Sequence, residues 1–280
     1  MIQNKITKIR KYFNKFNIDG YIVPKNDQFF SEYSEIDRLK LISNFSGSAG
    51  FAVILKNKNY LFIDGRYTIQ AKQQSGKKFS IIEIHKYFPY SILKYHKNLS
   101  LGFDPKLFTS STLKTYFKNK FILKPIEENL VDKVSKQKKN NNKKSFYSLN
   151  NQIVGENVFS KINKIVNYLK KIKSDNLFIS APENVAWALN IRGRDNPHSP
   201  IPNCQMVITQ KKKIYLFVKK EKIKAILKKI KIHNIKIFNP NKFFNLIKIL
   251  PGKKFSIDYL SCSIFNKKII GNKFKINNYK

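Results

Sequence analysis

Cysteine occurs only twice in this 280-residue chain, at Cys204 and Cys262, too few and too far apart for a disulfide framework or a zinc knuckle. Both are expected to be reduced core residues. No apolar run approaches the ~18 residues that a membrane-spanning helix needs. The opening stretch "MIQNKITKIRKYFNKFN" alternates charged and apolar residues where a secretory leader would carry an unbroken apolar core. The chain therefore reads as soluble and cytoplasmic. Acidic side chains number 17 against 55 basic ones, which leaves a carboxylate pair for acid–base chemistry few places to come from. Asp27, Asp37, Asp64, Glu127 and Glu128 show no pairing pattern. The four histidines, His85, His96, His198 and His233, form neither H-E-x-x-H nor any close ligand spacing.

What the chain has in excess is lysine. A net charge of +38 attracts phosphate backbones or anionic lipid, and it makes nucleic acid the rival partner. Yet only Arg10, Arg38, Arg66, Arg192 and Arg194 are arginines; the other 50 basic residues are lysines, spread through nearly every segment. A nucleic-acid face concentrates arginine for bidentate phosphate and base contacts and interleaves exposed aromatics. Here the aromatics fall at core periods. Nucleic-acid contact is expected to be non-specific, and a dedicated nucleic-acid-binding protein stands as the alternative.

With 42% hydrophobic residues the chain can bury a sizeable core, and its length favours two domains. Its two halves repeat one another. Ile2, Ile6, Ile9, Phe13 and Phe16 follow helical spacing before the turn "IDG" and the strand "YIV"; Phe159, Ile162, Val166, Leu169 and Ile172 do the same before "SDNLFIS". A helix ending "LISNFSG" leads to the hairpin "FAVIL", "KNKN", "YLFID"; "ENVAWALNIRG" leads, after a loop, to "QMVIT", "QKKK", "IYLFV". Alternating helix and strand patterns follow each hairpin. The spacing predicts a tandem duplication of an α/β unit, each a mixed sheet flanked by helices. Domain I is expected over 1–133, a Lys/Asn-rich linker over 134–150 and domain II over 151–280.

Two connections invite a chemical reading. "GSAG", Gly47 to Gly50, lacks the flanking helices of an RNA-clamping loop, the glycine that a nucleophile elbow needs at position 46, and the Gly-Lys-Ser/Thr ending of a phosphate loop. A sharp, closely packed helix-to-strand turn accounts for it. The polar segment "NIRGRDNPHSPIP" gathers Arg192, Arg194, Asp195, His198 and three prolines, and is the best candidate for contacting a ligand or partner. Its structural alternative is an ion pair from Arg192 or Arg194 to Asp195 in a proline-stiffened turn. Arg66, in "DGRY", is explained by pairing with Asp64.

Taken in order, "DGYIVPKNDQFFSEY", "DRLKLISNFSGSAGFAVIL", "YLFIDGRYTIQA" and "ENLVD" resemble the creatinase-type amino-terminal domain of Xaa-Pro aminopeptidases. "SAPENVAWALNIRGRDNPHSPIP" resembles the second domain of the same family. The resemblance covers essentially the whole chain and implies two tandem α/β domains of that type. It also implies that the glycine turn belongs to a non-catalytic domain.

Three-domain members continue into a pita-bread catalytic domain, where two Asp, one His and two Glu hold a pair of divalent metals, manganese being the expected one. No such ligand set maps onto these residues, so the chain alone is expected to be inactive, without metal or other cofactor. The implied partners are a pita-bread domain in cis or in trans and, through it, a peptide with proline in second place; no membrane is implied, and a homo-oligomer is left open. Arg192, Arg194, Asp195 and His198 are then the candidates for the domain interface or for peptide capture.

Overall fold

The computed structural model describes residues 2–31, 33–34, 36–96, 98–135, 144–196, 198–227 and 234–279. Contacts divide the chain into two compact units, Met1–Asn140 and Asn141–Lys280. In the first, β1 (Gly20–Pro24), β2 (Gly50–Leu55), β3 (Asn59–Ile63), β4 (Ser80–Glu83), β5 (Ser100–Phe103) and β6 (Ile122–Pro125) form one sheet in the order β4-β3-β2-β1-β5-β6. The β1/β2 and β2/β3 pairs are antiparallel, and the β3/β4, β1/β5 and β5/β6 pairs are parallel. Every residue of β1 is buried, as expected of a central strand covered on both faces.

The second unit contains β7 (Tyr147–Ser148), β8 (Asn176–Ile179), β9 (Ile191–Arg192), β10 (Gln205–Thr209), β11 (Ile214–Phe217), β12 (Ile235–Phe238), β13 (Lys254–Ile257) and β14 (Lys275–Asn278). Its main sheet runs β12-β11-β10-β8-β13-β14, and each pairing keeps the direction of its counterpart in the first unit. The duplication read from the sequence is thus a duplication of topology. "FAVIL" and "QMVIT" occupy equivalent strands. The β7/β9 pair is an addition of the second unit.

Several details differ from the sequence pattern. The first helical stripe breaks into helices Ile2–Arg10 and Phe13–Phe16, because the Tyr12 amide donates to Ile9 at 3.0 Å and tightens the turn. In helix Val158–Lys171, Ile162, Ile165, Val166 and Leu169 enter the core, whereas Phe159 is 70% exposed. It lies in the first turn, at the edge of the stripe. Of the stretch read as a linker, 136–143 lie outside the described residues. Phe146, at its far end, is buried in the second core and donates its amide to the Lys222 carbonyl at 2.7 Å. Ordered structure of the second unit therefore begins before residue 151. Of the helical pattern "EKIKAILKKI" over 221–230, the described residues place a helix at Lys220–Ile223, and 228–233 lie outside the described residues.

Cys204 and Cys262 are free and buried, and burial pushes both thiols up, that of Cys262 to about 12. Both are poor nucleophiles for that reason. Among the described residues no helix is long and apolar enough to cross a membrane.

Candidate functional site

The glycine turn and the polar loop are the same connection in the two units. Asn44 closes helix Arg38–Ser43 in the left-handed conformation (φ 70°), and Asn190 closes helix Pro182–Leu189 likewise (φ 52°). Asparagine tolerates that region better than most side chains, and it frees the next residue to turn inward. Phe45 and Ile191 do so and are fully buried. From there the first unit reaches its hairpin at Gly50, and the second only at Gln205.

The short version is a packing device. A Cβ at Gly47 would stand 2.2 Å from the Phe45 ring, and one at Gly50 would stand 2.7 Å from the Phe62 carbonyl oxygen. Ser48 shares a hydrogen bond with the Tyr67 hydroxyl at 2.8 Å. Arg66 is held by Asp64, Nε to Oδ1 at 2.8 Å, as the structural reading of "DGRY" requires. That contact and the Arg66 amide keep the Asp64 carboxyl below its ordinary range.

The long version carries more polar chemistry. It folds back on itself through the Gly193 amide, which donates to Pro200 O at 2.7 Å, and a Cβ on Gly193 would meet Pro202 Cα at 2.5 Å. Arg192, in β9 opposite Tyr147, turns its Nη1 to the carbonyls of Ala186 (3.3 Å) and Ile191 (2.9 Å). Arg194 is exposed, and its guanidinium stands over the Tyr147 ring, 5.3 Å from the centroid. The Asp195 carboxylate is 2% exposed; it accepts from the Asn203 amide at 2.7 Å and pairs with Lys222. The ion pair anticipated from an arginine to Asp195 is made by a lysine instead. His198 is exposed near the tip, beside the Asn196–Ser199 bridge.

Arg194, Asp195 and His198 line an open hollow of 640 Å³ together with Lys144, Tyr147 and Pro200, while Arg192 is committed to main-chain carbonyls. Asp195 is matched by Lys222, and the exposed side chains that line the hollow, Arg194, His198 and Lys144 among them, are cationic or hydrogen-bond donors. That chemistry suits a carboxylate and supplies no nucleophile. Tyr147 and Lys222 escaped the sequence reading: Tyr147 stands inside the presumed linker, and Lys222 has no feature separating it from 49 other lysines.

Among the described residues no three His, Cys, Asp or Glu side chains converge to hold a metal ion. His85, His96 and His198 are exposed, and His233 lies outside the described residues. The donor set of a divalent-metal pair does not fit these residues, and no metal-dependent step can be built on them.

The Creatinase/Prolidase N-terminal domain family matches residues 5–134 and again residues 136–279. A probable Xaa-Pro aminopeptidase P of Coprinopsis cinerea is 27% identical over 259 residues, 88% of this chain and 42% of that protein. Xaa-Pro aminopeptidase 1 of Dictyostelium discoideum is 30% identical over 241 residues, 79% of this chain and 38% of that protein. The chain thus spans about two-fifths of the length of these relatives. The crystal structure of the X-prolyl aminopeptidase of Caenorhabditis elegans, described as a cytosolic enzyme with a di-nuclear active site, superimposes with a TM-score of 0.86 at 22% identity. It covers 100% of this chain and 50% of that one, and it shares the fold.

Proposed function

Since the chain belongs to the Creatinase/Prolidase N-terminal domain family, with one such domain in each half, we propose that these residues are the metal-free amino-terminal part of a cytoplasmic Xaa-Pro aminopeptidase. One observation carries the reading. The two Xaa-Pro aminopeptidase matches described above fill 88% and 79% of this chain but only 42% and 38% of the relatives, and no metal-ligating cluster exists among the described residues. Removal of a residue before proline then belongs to a pita-bread domain supplied in cis or in trans, which holds the divalent metal pair, while these two domains assist assembly and peptide access. A first domain over 1–133 is part of this proposal, and the second domain takes in Phe146, Tyr147 and Ser148 ahead of the expected 151.

The hollow of Arg194 and His198 is the surface assigned to that partner or to the peptide. Its donors suit acidic side chains or a peptide carboxylate. The test is reconstitution: the 280-residue chain is mixed with a separately expressed pita-bread domain of a relative and manganese, and cleavage of an Xaa-Pro peptide is followed. Association and enhanced turnover in the mixture support the proposal. Chelator-sensitive turnover by the chain alone, persisting through stringent purification, overturns it, as does failure of the two parts to associate.

A further inference from the structure

The first unit holds a crevice that this reading leaves unused. It measures 480 Å³ and lies beyond the carboxyl ends of β1 and β3, between the residues that follow β4 and helix Ser110–Phe117. In open α/β sheets ligands gather at the carboxyl ends of strands, and the volume is in the ~300–1,000 Å³ range of small-molecule sites. Its apolar wall is a ladder of rings. Phe51 stacks between Phe62 and Tyr116, 5.0 Å from each centroid and within 15° and 19° of their planes, and Phe88 tilts against Tyr116 at 6.5 Å. The small-residue turn Ser48, Ala49 and Gly50 also lines it.

The second unit provides an internal comparison. Val53 pairs with Ile22 and Tyr60, and Val207 pairs with Phe178 and Tyr215, so Ile22 corresponds to Phe178 and Phe62 to Phe217. In the second unit Phe243, opening the helix after β12, lies 4.8 Å from Phe178 and 5.2 Å from Phe217 and is only 7% exposed. It fills the face. In the first unit Phe88, which precedes the helix after β4, is half-buried and turned onto Tyr90 at 5.7 Å and onto Tyr116. The same architecture is therefore plugged in one copy and hollow in the other.

Charges at the rim are already matched: Lys25 to Asp37 at 2.5 Å, and Asp64 to Arg66 at 2.8 Å. Asn26, whose Nδ2 donates to the Asp27 and Leu107 carbonyls, contributes its Oδ1 as an acceptor, and Thr112, Thr115 and Tyr116 contribute hydroxyls. We propose that this crevice binds an uncharged, planar aromatic molecule, which lies against the Phe88 and Tyr116 rings and is hydrogen-bonded by the rim amide and hydroxyls. The site is separate from the cationic hollow of the second unit, and its failure would leave the aminopeptidase reading untouched.

Indole is the probe, with cyclohexanol as a non-planar control, titrated into the 280-residue chain and followed by amide chemical shifts. Saturable shifts at Ser48, Ala49, His85 and Thr115 are expected, with a dissociation constant below about 1 mM. Thr115→Trp, at an exposed helical position on the mouth, is expected to weaken indole at least about tenfold with an unchanged unfolding midpoint, and Ala49→Leu is the second blocking variant. Absence of saturation at about 5 mM indole, equal affinity for cyclohexanol, or undiminished binding in both folded variants would overturn the proposal.

Discussion

Lys222 reaches the Asp195 carboxylate across 27 positions of sequence and fastens the polar loop of the second unit to helix Lys220–Ile223. The same lysine accepts the Phe146 amide on its carbonyl, so one residue joins the loop, the start of the second core and its own helix. The Asp195 side chain is 2% exposed and that of Lys222 is 13% exposed. Removing one partner therefore strands a desolvated charge. Lys222→Met is expected to cost about 3 kcal/mol in urea unfolding, and adding Asp195→Asn should recover much of that loss. A single-mutant cost below about 1 kcal/mol would mean that water already shares the carboxylate.

Arg192 and Arg194 should separate on substitution by lysine. Arg192 donates from Nη1 to two carbonyl oxygens at the far end of its side chain; a lysine ammonium ends short of that position, so Arg192→Lys should lower stability by about 1 kcal/mol. Arg194 is exposed over Tyr147. Arg194→Lys should leave the unfolding midpoint in place and weaken association with a pita-bread domain in the reconstitution assay. Wild-type association and kinetics in Arg194→Lys would remove that arginine from the interface.

Gly47→Ala tests the glycine turn. The added methyl meets the Phe45 ring at 2.2 Å, and that ring is fully buried, so neither side can yield without disturbing the core. A loss of about 1–3 kcal/mol is expected, read by calorimetry or urea. Gly155→Ala makes a useful contrast, since no atom lies within 4 Å of a Cβ there but its φ is +74°; the cost at that position is conformational alone.

The two units should answer to pH in opposite senses at two named carboxylates. Burial pushes the Asp27 carboxyl up, and the amides of Phe29 and Ser31, donating to Oδ1 at 2.8 and 3.1 Å, offset this only in part. With its folded pKa raised, Asp27 contributes stability that is complete below the unfolded value near 3.9 and is lost as pH rises through the folded value. Asp27→Asn keeps an acceptor for those amides, so the variant should gain on the wild type as pH rises from about 4 to 7. Asp175 is the reverse. The amides of Lys254 and Lys253, at 2.9 and 2.8 Å from Oδ2, hold its carboxyl below the ordinary range. Its contribution is present above the unfolded pKa and disappears as pH falls through the folded one, so the deficit of Asp175→Asn should be full at pH 7 and shrink below about pH 4. Urea titrations of both variants across that range read the two slopes, and parallel slopes would refute the assignment.

The architecture was legible because its signals are local. Continuous apolar runs such as "FAVIL" and "QMVIT" become central strands wherever helices cover both faces, and a polar turn between two such runs leaves little choice but a hairpin. Asparagine at a helix end, then a buried residue, then glycine, is likewise a local pattern, and it located the equivalent connection in both units. Tertiary structure alone decided what those connections meet. Periodicity marks a side chain that favours burial, but Phe159 stands exposed because the core ends short of the helix's first turn. Asp195 required a cation, and any nearby arginine satisfied the sequence; the folded chain brought Lys222 instead, one among 50 lysines, because the path of the helix after β11 ends there. Whether a sheet face is plugged by Phe243 or left hollow beside Phe88 is set by where two helices start over two equivalent sheets. Each outcome depends on the relative placement of segments far apart in the chain, and short-range apolar and turn signals carry no record of it.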